Sequence, residues 1–283
     1  MYIVARHSTW HMRELKWPSE SAVQPSIYDI LEDDSDDIVE ISDRYAQAMS
    51  IWNEFLERFP IGESLPSFPI WAMEFGADYP ACSEQGFPGQ LSERQLRRYH
   101  GVLGRRLSDV PSGQRFASLP TYAQYDEFPS WKQSFIRQNR HLYARHKSWL
   151  RGWKRQLDGL PASLQKLEWN CQGERRDIWS HIVQFRASGI RVKRDSSAPA
   201  LVAMTATQVP VVASRRRYLT VGECARLQSL ESLQILPSSR SKAYGALGNA
   251  VNSRMISLIA RSVIKSHSPT ERSTRVKAPR RVR

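Results

Sequence analysis

The chain has 283 residues, 41% of them apolar and 24% charged, which excludes wholesale disorder and allows one or two domains. Its net charge is +13, although residues 1–60 hold five Lys and Arg against twelve Asp and Glu, so the rest of the chain carries a surplus that indicates a polyanionic partner, nucleic acid first. No apolar run reaches the roughly 20 residues of a membrane span, and there is no CxxC pair or HExxH helix, so we predict no membrane contact and no metal site.

The first predicted elements are a strand, an acidic loop and a helix. Tyr2-Ile3-Val4-Ala5 indicates a short buried strand, and the acidic residues of 32–37 indicate a solvated loop. Residues 43–59 are predicted to form an amphipathic core helix, because the apolar residues recur at spacings of three and four: Ala46, Met49, Trp52, Phe55 and Leu56.

The middle of the chain is predicted to hold an ordered loop and two helices. Residues 60–90 are rich in Pro, Gly and aromatic residues and indicate the loop, and helices are predicted over 92–107 and 130–158. The polar side of the second helix carries eight cations against Asp158 alone: Lys132, Arg137, Arg140, Arg145, Lys147, Arg151, Lys154 and Arg155. Such a face is usually solvated. Because acidic partners are scarce here, we give contact with phosphates the same weight as a solvated face.

Between residues 181 and 213 the composition becomes rich in Val, Ile and Thr, which predicts short strands. Ser188-Gly189 is predicted to form the turn between two of them. The last residues, 266–283, have no apolar periodicity and six Lys and Arg, which is typical of a flexible basic tail that attracts DNA or RNA weakly.

Two segments near the C-terminus carry specific patterns. The first, Arg217-Tyr218-Leu219-Thr220-Val221-Gly222-Glu223-Cys224-Ala225-Arg226-Leu227-Gln228, predicts a strand end followed by a helix with a capping box between Thr220 and Glu223. The second, Ala243-Tyr244-Gly245-Ala246-Leu247-Gly248-Asn249-Ala250-Val251, predicts a tight turn at Gly248-Asn249. A helix follows with an apolar face made of Met255, Ile256, Ile259, Ala260 and Val263.

In this order the two segments resemble the ninth and tenth motifs of the DNA (cytosine-5) methyltransferases, R-x-L-T-x-x-E-C-A-R-L-Q and Y-x-x-L-G-N-A-V. Residues 188–192 and 198–201 resemble the end of the family's target-recognition domain, and residues 2–5 resemble the strand after its Q-x-R-x-R motif. The chain departs from the family in two places. Residues 229–232 replace G-F-P-D, and Ala200 replaces the Thr of a Thr-Leu pair that can contact DNA phosphate.

The resemblance implies an α/β family, in which this chain is a mixed α+β target-recognition domain plus the C-terminal strand and helix fragment of a Rossmann-like, S-adenosylmethionine-dependent methyltransferase domain. The expected organisation has four parts: a terminal strand at the edge of the catalytic domain (1–30), the DNA-binding target-recognition domain (31–215), a motif-containing segment that returns to the catalytic domain (216–265), and a disordered basic tail (266–283).

The resemblance also implies functional residues. The wall of an S-adenosyl-L-methionine pocket, shared with the catalytic part, is completed by Gly248, Asn249, Ala250 and Val251. Contacts to double-stranded DNA are expected from residues on or beside the β turn: Gln184, Arg186, Ser188, Arg191, Lys193 and Arg194. Arg191 and Lys193 alternate with apolar residues, which predicts that they share one strand face.

The family's catalytic motifs have no match in this sequence. The Pro-Cys-Gln loop whose thiolate attacks carbon 6 of cytosine, the Glu-Asn-Val carboxylate and the F-x-G-x-G cofactor loop do not occur, and Phe75-Gly76-Ala77-Asp78 lacks the second glycine. Three widely spaced cysteines, Cys82, Cys171 and Cys224, also argue against a disulfide framework and for a reducing compartment, so we expect a cytoplasmic, nucleoid-associated protein. We predict that each cysteine is structural and that this chain holds no catalytic residue.

These observations lead to two hypotheses. In the first, the chain belongs to a restriction-modification methyltransferase that transfers methyl from S-adenosylmethionine to cytosine in DNA, once it is paired with a catalytic subunit or missing N-terminal half that carries Pro-Cys-Gln. The isolated chain is then inactive, and strand 2–5 and the last helix expose apolar faces. In the second, the chain is a non-enzymatic, sequence-specific DNA-binding remnant. An RNA-binding protein is a weaker third interpretation, because it leaves both C-terminal motifs unexplained.

Overall fold

The computed structural model of the chain describes residues 4, 15–19, 25–201 and 208–266. These ranges hold seven α-helices: α1 (Asp43–Arg58), α2 (Glu93–Leu96), α3 (Ser130–Arg145), α4 (Lys147–Trp153), α5 (Val221–Leu227), α6 (Arg240–Asn249) and α7 (Ser253–Ser266). They also hold six strands: β1 (Ile70–Trp71), β2 (Lys166–Trp169), β3 (Ile182–Arg186), β4 (Gly189–Lys193), β5 (Val211–Val212) and β6 (Arg217–Tyr218). The predicted strand at 2–5, apart from Val4, and the predicted tail beyond residue 266 lie outside the described residues.

The six strands form one mixed sheet in the order β1-β2-β4-β3-β5-β6, so the chain has a mixed α/β fold. Strands β2 and β4 are parallel and every other neighbouring pair is antiparallel. The predicted strands and turn between residues 182 and 193 are confirmed, because β3 and β4 form a hairpin in which Arg186 lies opposite Gly189. Gly189 has a φ of +137°, and a Cβ there would lie 2.8 Å from the Cβ of Lys166, so the turn depends on this glycine.

The central core packs α1 against one face of the sheet and against α4. The helix predicted at 43–59 is confirmed as α1, whose Trp52 and Phe55 are fully buried. The rings of Trp52 and Trp153 meet edge to face with their centroids 5.0 Å apart. Both indole N–H groups donate to backbone carbonyls, Trp52 to Leu164 at 2.8 Å and Trp153 to Ile51 at 2.9 Å. These two indoles are therefore buried with their N–H groups paired.

The helix predicted over 92–107 is wrong, since α2 ends after four residues and short 3-10 turns follow. Ser92 caps α2 as a helix start should, but the backbone then turns at Leu103 and Gly104, whose φ angles are +53° and +70°. These angles lie outside the right-handed helical region. The turn closes around the ammonium of Lys154, which donates a hydrogen bond to the Leu103 carbonyl. A contact between residues 51 positions apart thus overrides the local helical pattern.

The long helix predicted over 130–158 is broken, and its cations do not form one polar face. His146, with φ −111° and ψ 22°, separates α3 from α4. Arg140 turns inward to pair with the buried carboxylate of Glu74 at 3.0 Å, and Lys154 is 9% exposed. Arg145 pairs with Glu63. Arg140, Arg145 and Lys154 are therefore engaged by contacts within the fold, while Lys147, Arg151 and Arg155 stay exposed after His146.

Candidate functional site

The first C-terminal motif is built around a buried ion pair. Arg217, on β6, donates from Nη2 and Nη1 to the two carboxylate oxygens of Glu223, on α5, at 2.7 and 2.9 Å. Both side chains are buried, Glu223 completely. The predicted capping box is confirmed, since the Glu223 N–H donates to Thr220 Oγ1 at 3.1 Å and the Thr220 N–H donates to Glu223 Oε2 at 2.8 Å. The Glu223 carboxylate thus caps α5 and also neutralises Arg217. The sequence predicted the cap but not the ion pair with Arg217.

The acidic loop is not simply solvated, as the sequence predicted, because two of its residues hold this motif. The Glu32 N–H donates to Glu223 Oε1 at 2.8 Å, and its carboxylate accepts from Thr220 Oγ1 at 3.0 Å. Asp37 accepts from the Val221 N–H at 2.8 Å and pairs with Arg240 at 2.6 Å. The excess of acid at the start of the chain therefore lies against the cationic C-terminal segment, while Asp33, Asp34 and Asp36 are exposed.

The second motif is tied to the first by hydrogen bonds from its characteristic side chains. The Tyr244 hydroxyl donates to the Leu219 carbonyl at 2.6 Å, and Gln228 Nε2 donates to the Leu247 carbonyl at 3.1 Å. The tight turn predicted at Gly248-Asn249 is wrong, since both residues lie in the last turn of α6. The break follows at residues 250–252, where the Asn252 side chain donates to the Leu227 carbonyl and accepts from the Met255 N–H at the start of α7.

The residues predicted to border the cofactor lie in the last turn of α6 and the start of this break, where Gly248 and Ala250 are half-buried. Asn249 is exposed and makes no side-chain hydrogen bond to any residue that the structure describes, and Val251 is 58% exposed. The apolar face of α7 that follows is also largely uncovered, with Met255, Ile256 and Leu258 each close to 40% exposed. An apolar surface of this kind is typical of a face that packs on another structural part.

The residues predicted to contact DNA divide into three groups on the β3–β4 hairpin. Gln184 is buried, and its amide donates to the carbonyls of Ala200 and Gln208 at 3.2 and 2.7 Å. Arg186 and Arg191 share the carboxylate of Glu168 at 2.6 and 2.9 Å.

The third group consists of Ser188, Lys193 and Arg194. Ser188 is exposed at the hairpin tip, and Arg194 is exposed although it pairs with Glu174. Lys193 is half-buried on the same strand face as Arg191, as the alternating pattern predicted. The hairpin therefore presents polar side chains at its tip and along its last residues. Between them, Arg186 and Arg191 are held by the Glu168 carboxylate.

The cysteines are all free thiols, and two of them are fully buried. Burial raises the pKa of the Cys171 thiol to about 12. Burial, together with the carboxylates of Glu223 and Asp37, raises the pKa of Cys224 well above its ordinary value. Since the thiolate is the nucleophilic form, these two side chains act as packed apolar groups.

Within residues 25–201 and 208–266, and the few described before them, no cluster of His, Cys, Asp and Glu has the arrangement of a metal site. In the same residues, no helix combines the length and the apolar content that crossing a bilayer requires.

Comparison with known proteins assigns the chain to a family. The family of C-5 cytosine-specific DNA methylases matches residues 104–265, which is more than half of the chain. Type II methyltransferase M.AluI of Cellulosimicrobium cellulans is 35% identical over 225 residues, covering 75% of this chain and 40% of the relative, so the chain spans about two fifths of the length of that curated protein. No solved structure gives a significant match. Since the matched residues include the hairpin and both motif segments, the chain belongs to the C-5 cytosine-specific DNA methylase family.

Proposed function

We propose that this chain is the DNA-recognition and cofactor-pocket-completing part of a DNA (cytosine-5) methyltransferase, which acts together with a catalytic part that carries the Pro-Cys-Gln loop. One observation supports this proposal most directly. Hydrogen bonds from Tyr244 and Gln228 join the ninth-motif and tenth-motif segments, and they hold residues 248–251 next to the uncovered face of α7. In this proposal residues 31–215 are the target-recognition domain and 216–265 return to a Rossmann-like catalytic domain.

The proposed DNA contacts lie on the β3–β4 hairpin. Glu168 holds the guanidinium groups of Arg186 and Arg191, which restricts their rotation before DNA arrives. An arginine held in this way loses less conformational entropy when it forms a bidentate pair with guanine. Ser188 and Arg194 are exposed and suit phosphate contacts. Gln184 holds the carbonyl of Ala200, which stands where the family has the Thr of its Thr-Leu pair, so we assign Gln184 an indirect part in DNA binding.

The proposed cofactor contacts lie at residues 248–251. S-adenosylmethionine supplies the methyl group in this family. The exposed Asn249 amide can hydrogen-bond a polar group, and Gly248, which has no side chain, allows close approach of a ligand to the backbone. Val251 offers an apolar contact, so the residues present fit one wall of such a pocket. The remaining walls and the nucleophile come from the catalytic part, into which the target cytosine is flipped at a cost of a few kcal/mol.

The catalytic proposal is tested by methyl transfer from radiolabelled S-adenosylmethionine to duplex DNA. We expect no transfer by the chain alone, because no cysteine in a Pro-Cys-Gln loop is present, and transfer to carbon 5 of cytosine when a polypeptide with the family's catalytic motifs is added. The DNA upstream of the codon for Met1 is the first place to look for that polypeptide. Transfer by the isolated chain would contradict this division of roles.

The alternative, a sequence-specific DNA-binding remnant without enzymatic function, is favoured by the same hairpin and by the unmatched catalytic motifs. It predicts duplex binding but no methyl transfer with any catalytic part. It also predicts no neighbouring reading frame with the Pro-Cys-Gln and F-x-G-x-G motifs.

The hairpin assignment predicts a loss of sequence preference when its arginines are changed. We expect the wild-type chain to enrich a short common sequence from a pool of random duplexes, and Arg191→Gln to reduce the preference for that sequence by roughly 10- to 100-fold, since a bidentate arginine–guanine pair contributes about 1–3 kcal/mol of discrimination. Arg175→Gln is the matched control, because Arg175 is exposed and lies outside the hairpin. Unchanged enrichment by Arg191→Gln and by Arg186→Gln would contradict base reading by the hairpin.

A further inference from the structure

A basic cleft of about 670 Å³ opens between the turn after α2 and the helix α4. Its lining includes five cations, Arg106, Lys147, Arg151, Lys154 and Arg155, together with His100. It shares no lining residue with the β3–β4 hairpin or with the motif segments after residue 216. The cleft is thus a feature that the proposed function leaves unexplained.

The positive charge of this cleft is not balanced by acids within its lining. Asp78 is the one carboxylate among the described lining residues, and it is engaged by the backbone N–H and ring of His100 at 2.6 and 2.7 Å. Lys147, Arg151 and Arg155 are exposed, and none of them forms an ion pair with a described residue. With Arg106 and Lys154 they place five Lys and Arg side chains on one concave surface, which raises the local concentration of anions.

Lys154 forms the floor of the cleft and is held there by the fold. Its ammonium donates to the carbonyls of Phe75 and Leu103, and its third N–H makes no hydrogen bond to a described residue. Gly76 and Gly104 make room for it, because a Cβ at these positions would lie 3.0 and 2.6 Å from Nζ. Burial, with the nearby charges of Arg151 and Lys147, lowers the pKa of Lys154 to about 8. A bound anion would relieve this repulsion.

The shape of the cleft favours a chain of phosphates over a single nucleotide. Lys147 and Arg151 are four residues apart on α4, so they lie on one side of the helix roughly 6 Å apart. Tyr143 is the one aromatic side chain in the described lining, and it is 9% exposed and stacked on Phe75. It offers no free ring face on which a base could stack.

We propose that this cleft binds the phosphodiester backbone of duplex DNA, as a second contact region separate from the hairpin. The proposal rests on the proposed function and extends it, since the hairpin reads the sequence and the cleft holds the backbone. Contacts of this kind position a protein on DNA without carrying sequence information.

The test measures duplex binding by the full chain at several salt concentrations. We expect the triple variant Lys147→Gln, Arg151→Gln, Arg155→Gln to lower the magnitude of the slope of log K against log[salt] by about 2 to 3, since each phosphate contact contributes about 0.9. Affinity at 0.1 M salt should fall by at least roughly tenfold, equally for duplexes of every sequence. The charge-matched control is Arg44→Gln, Arg94→Gln, Arg97→Gln, which removes three exposed cations outside the cleft and should leave the slope unchanged.

The outcomes separate this proposal from the proposed function. If the cleft variant keeps the wild-type slope while sequence preference is retained, the cleft proposal fails and the hairpin assignment stands. Equal losses of salt slope and affinity in the cleft and control variants would show an effect of net charge alone and would also overturn the cleft proposal. If a mononucleotide displaces DNA from the wild-type chain at constant ionic strength, the cleft is a nucleotide site instead. No duplex binding by the wild-type chain would count against the proposed function itself.

Discussion

Replacing Glu223 by Gln is expected to destabilise the chain by about 3–5 kcal/mol, because Arg217 then stays charged and buried without its counter-charge. Arg217 is 4% exposed, and its two terminal nitrogens also donate to the carbonyls of Tyr218 and Glu32 at 3.0 and 2.9 Å. These carbonyls hold the guanidinium in place, so it cannot move to solvent. The loss is a large fraction of the 5–15 kcal/mol that stabilises a typical domain.

The same pair gives the stability of the chain an acid dependence. Burial alone would raise the pKa of Glu223, but hydrogen bonds from Arg217 and from the backbone N–H groups of Glu32 and Thr220 hold the pKa below its ordinary value. A carboxyl whose pKa is lower in the folded state stabilises the fold above its unfolded pKa, near 4.5, and this contribution is lost as pH falls through the folded pKa. Glu223→Gln should remove this part of the acid sensitivity.

Urea denaturation followed by tryptophan fluorescence measures both effects, since the chain has nine tryptophans. The control is Glu54→Gln, which breaks the exposed pair between Glu54 and Arg58 and should cost less than about 1 kcal/mol. If Glu223→Gln and Glu54→Gln have the same denaturation midpoint, the buried pair does not stabilise the motif.

The elements that the sequence predicted correctly depend on contacts between near neighbours. The apolar spacing of α1, the capping box of Thr220 and Glu223, and the hairpin around Ser188 each require residues within one or two helical turns or opposite each other in a tight turn. The family motifs were also readable, because they are local. Their side chains nonetheless act over longer distances, as the bond from Tyr244 to the Leu219 carbonyl shows.

The elements that were predicted wrongly depend on residues distant in sequence. Nothing local to residues 92–107 indicates that Lys154 will occupy the turn at Gly104. Likewise, the cationic pattern of 130–158 does not reveal that Arg140 meets Glu74, which lies 66 residues earlier. The sequence predicts a solvated acidic loop because the partners of that loop, Thr220 and Val221, lie more than 180 residues away. Composition did indicate that acid and base are segregated along the chain.

Replacing Glu74 by Leu is expected to cost about 3–5 kcal/mol, because three donors lose the buried carboxylate that they share. Glu74 is fully buried; the hydroxyls of Tyr79 and Tyr122 donate to its Oε1, and Arg140 Nε donates to Oε2 at 3.0 Å. Arg140 stays largely enclosed against the ring of Tyr79, 4.3 Å from its centroid, so its charge remains desolvated when Glu74 is removed.

This cluster also predicts alkaline sensitivity, with the opposite sign to that of Glu223. Burial, and next the charge of Glu74, raise the pKa values of Tyr79 and Tyr122 well above 10. Both phenols stay protonated in the folded chain, whereas the unfolded chain ionises them from about pH 10, so their contribution is present below pH 10 and is lost as pH rises beyond it. Tyr122→Phe should reduce this loss.

The matched variant Tyr122→Phe removes one donor and leaves Glu74 and Arg140 paired, so it should cost only about 1–2 kcal/mol by the same denaturation measurement. A Glu74→Leu chain as stable as Tyr122→Phe would show that Arg140 finds solvent when its partner is lost. Because Arg140 also donates to the Tyr79 carbonyl at 2.7 Å, the cluster joins α3 to the loop after β1. Since α3 leads through His146 into α4, the contact between α3 and this loop determines where the exposed cations of the cleft lie. We therefore expect Glu74→Leu to weaken DNA binding as well as stability.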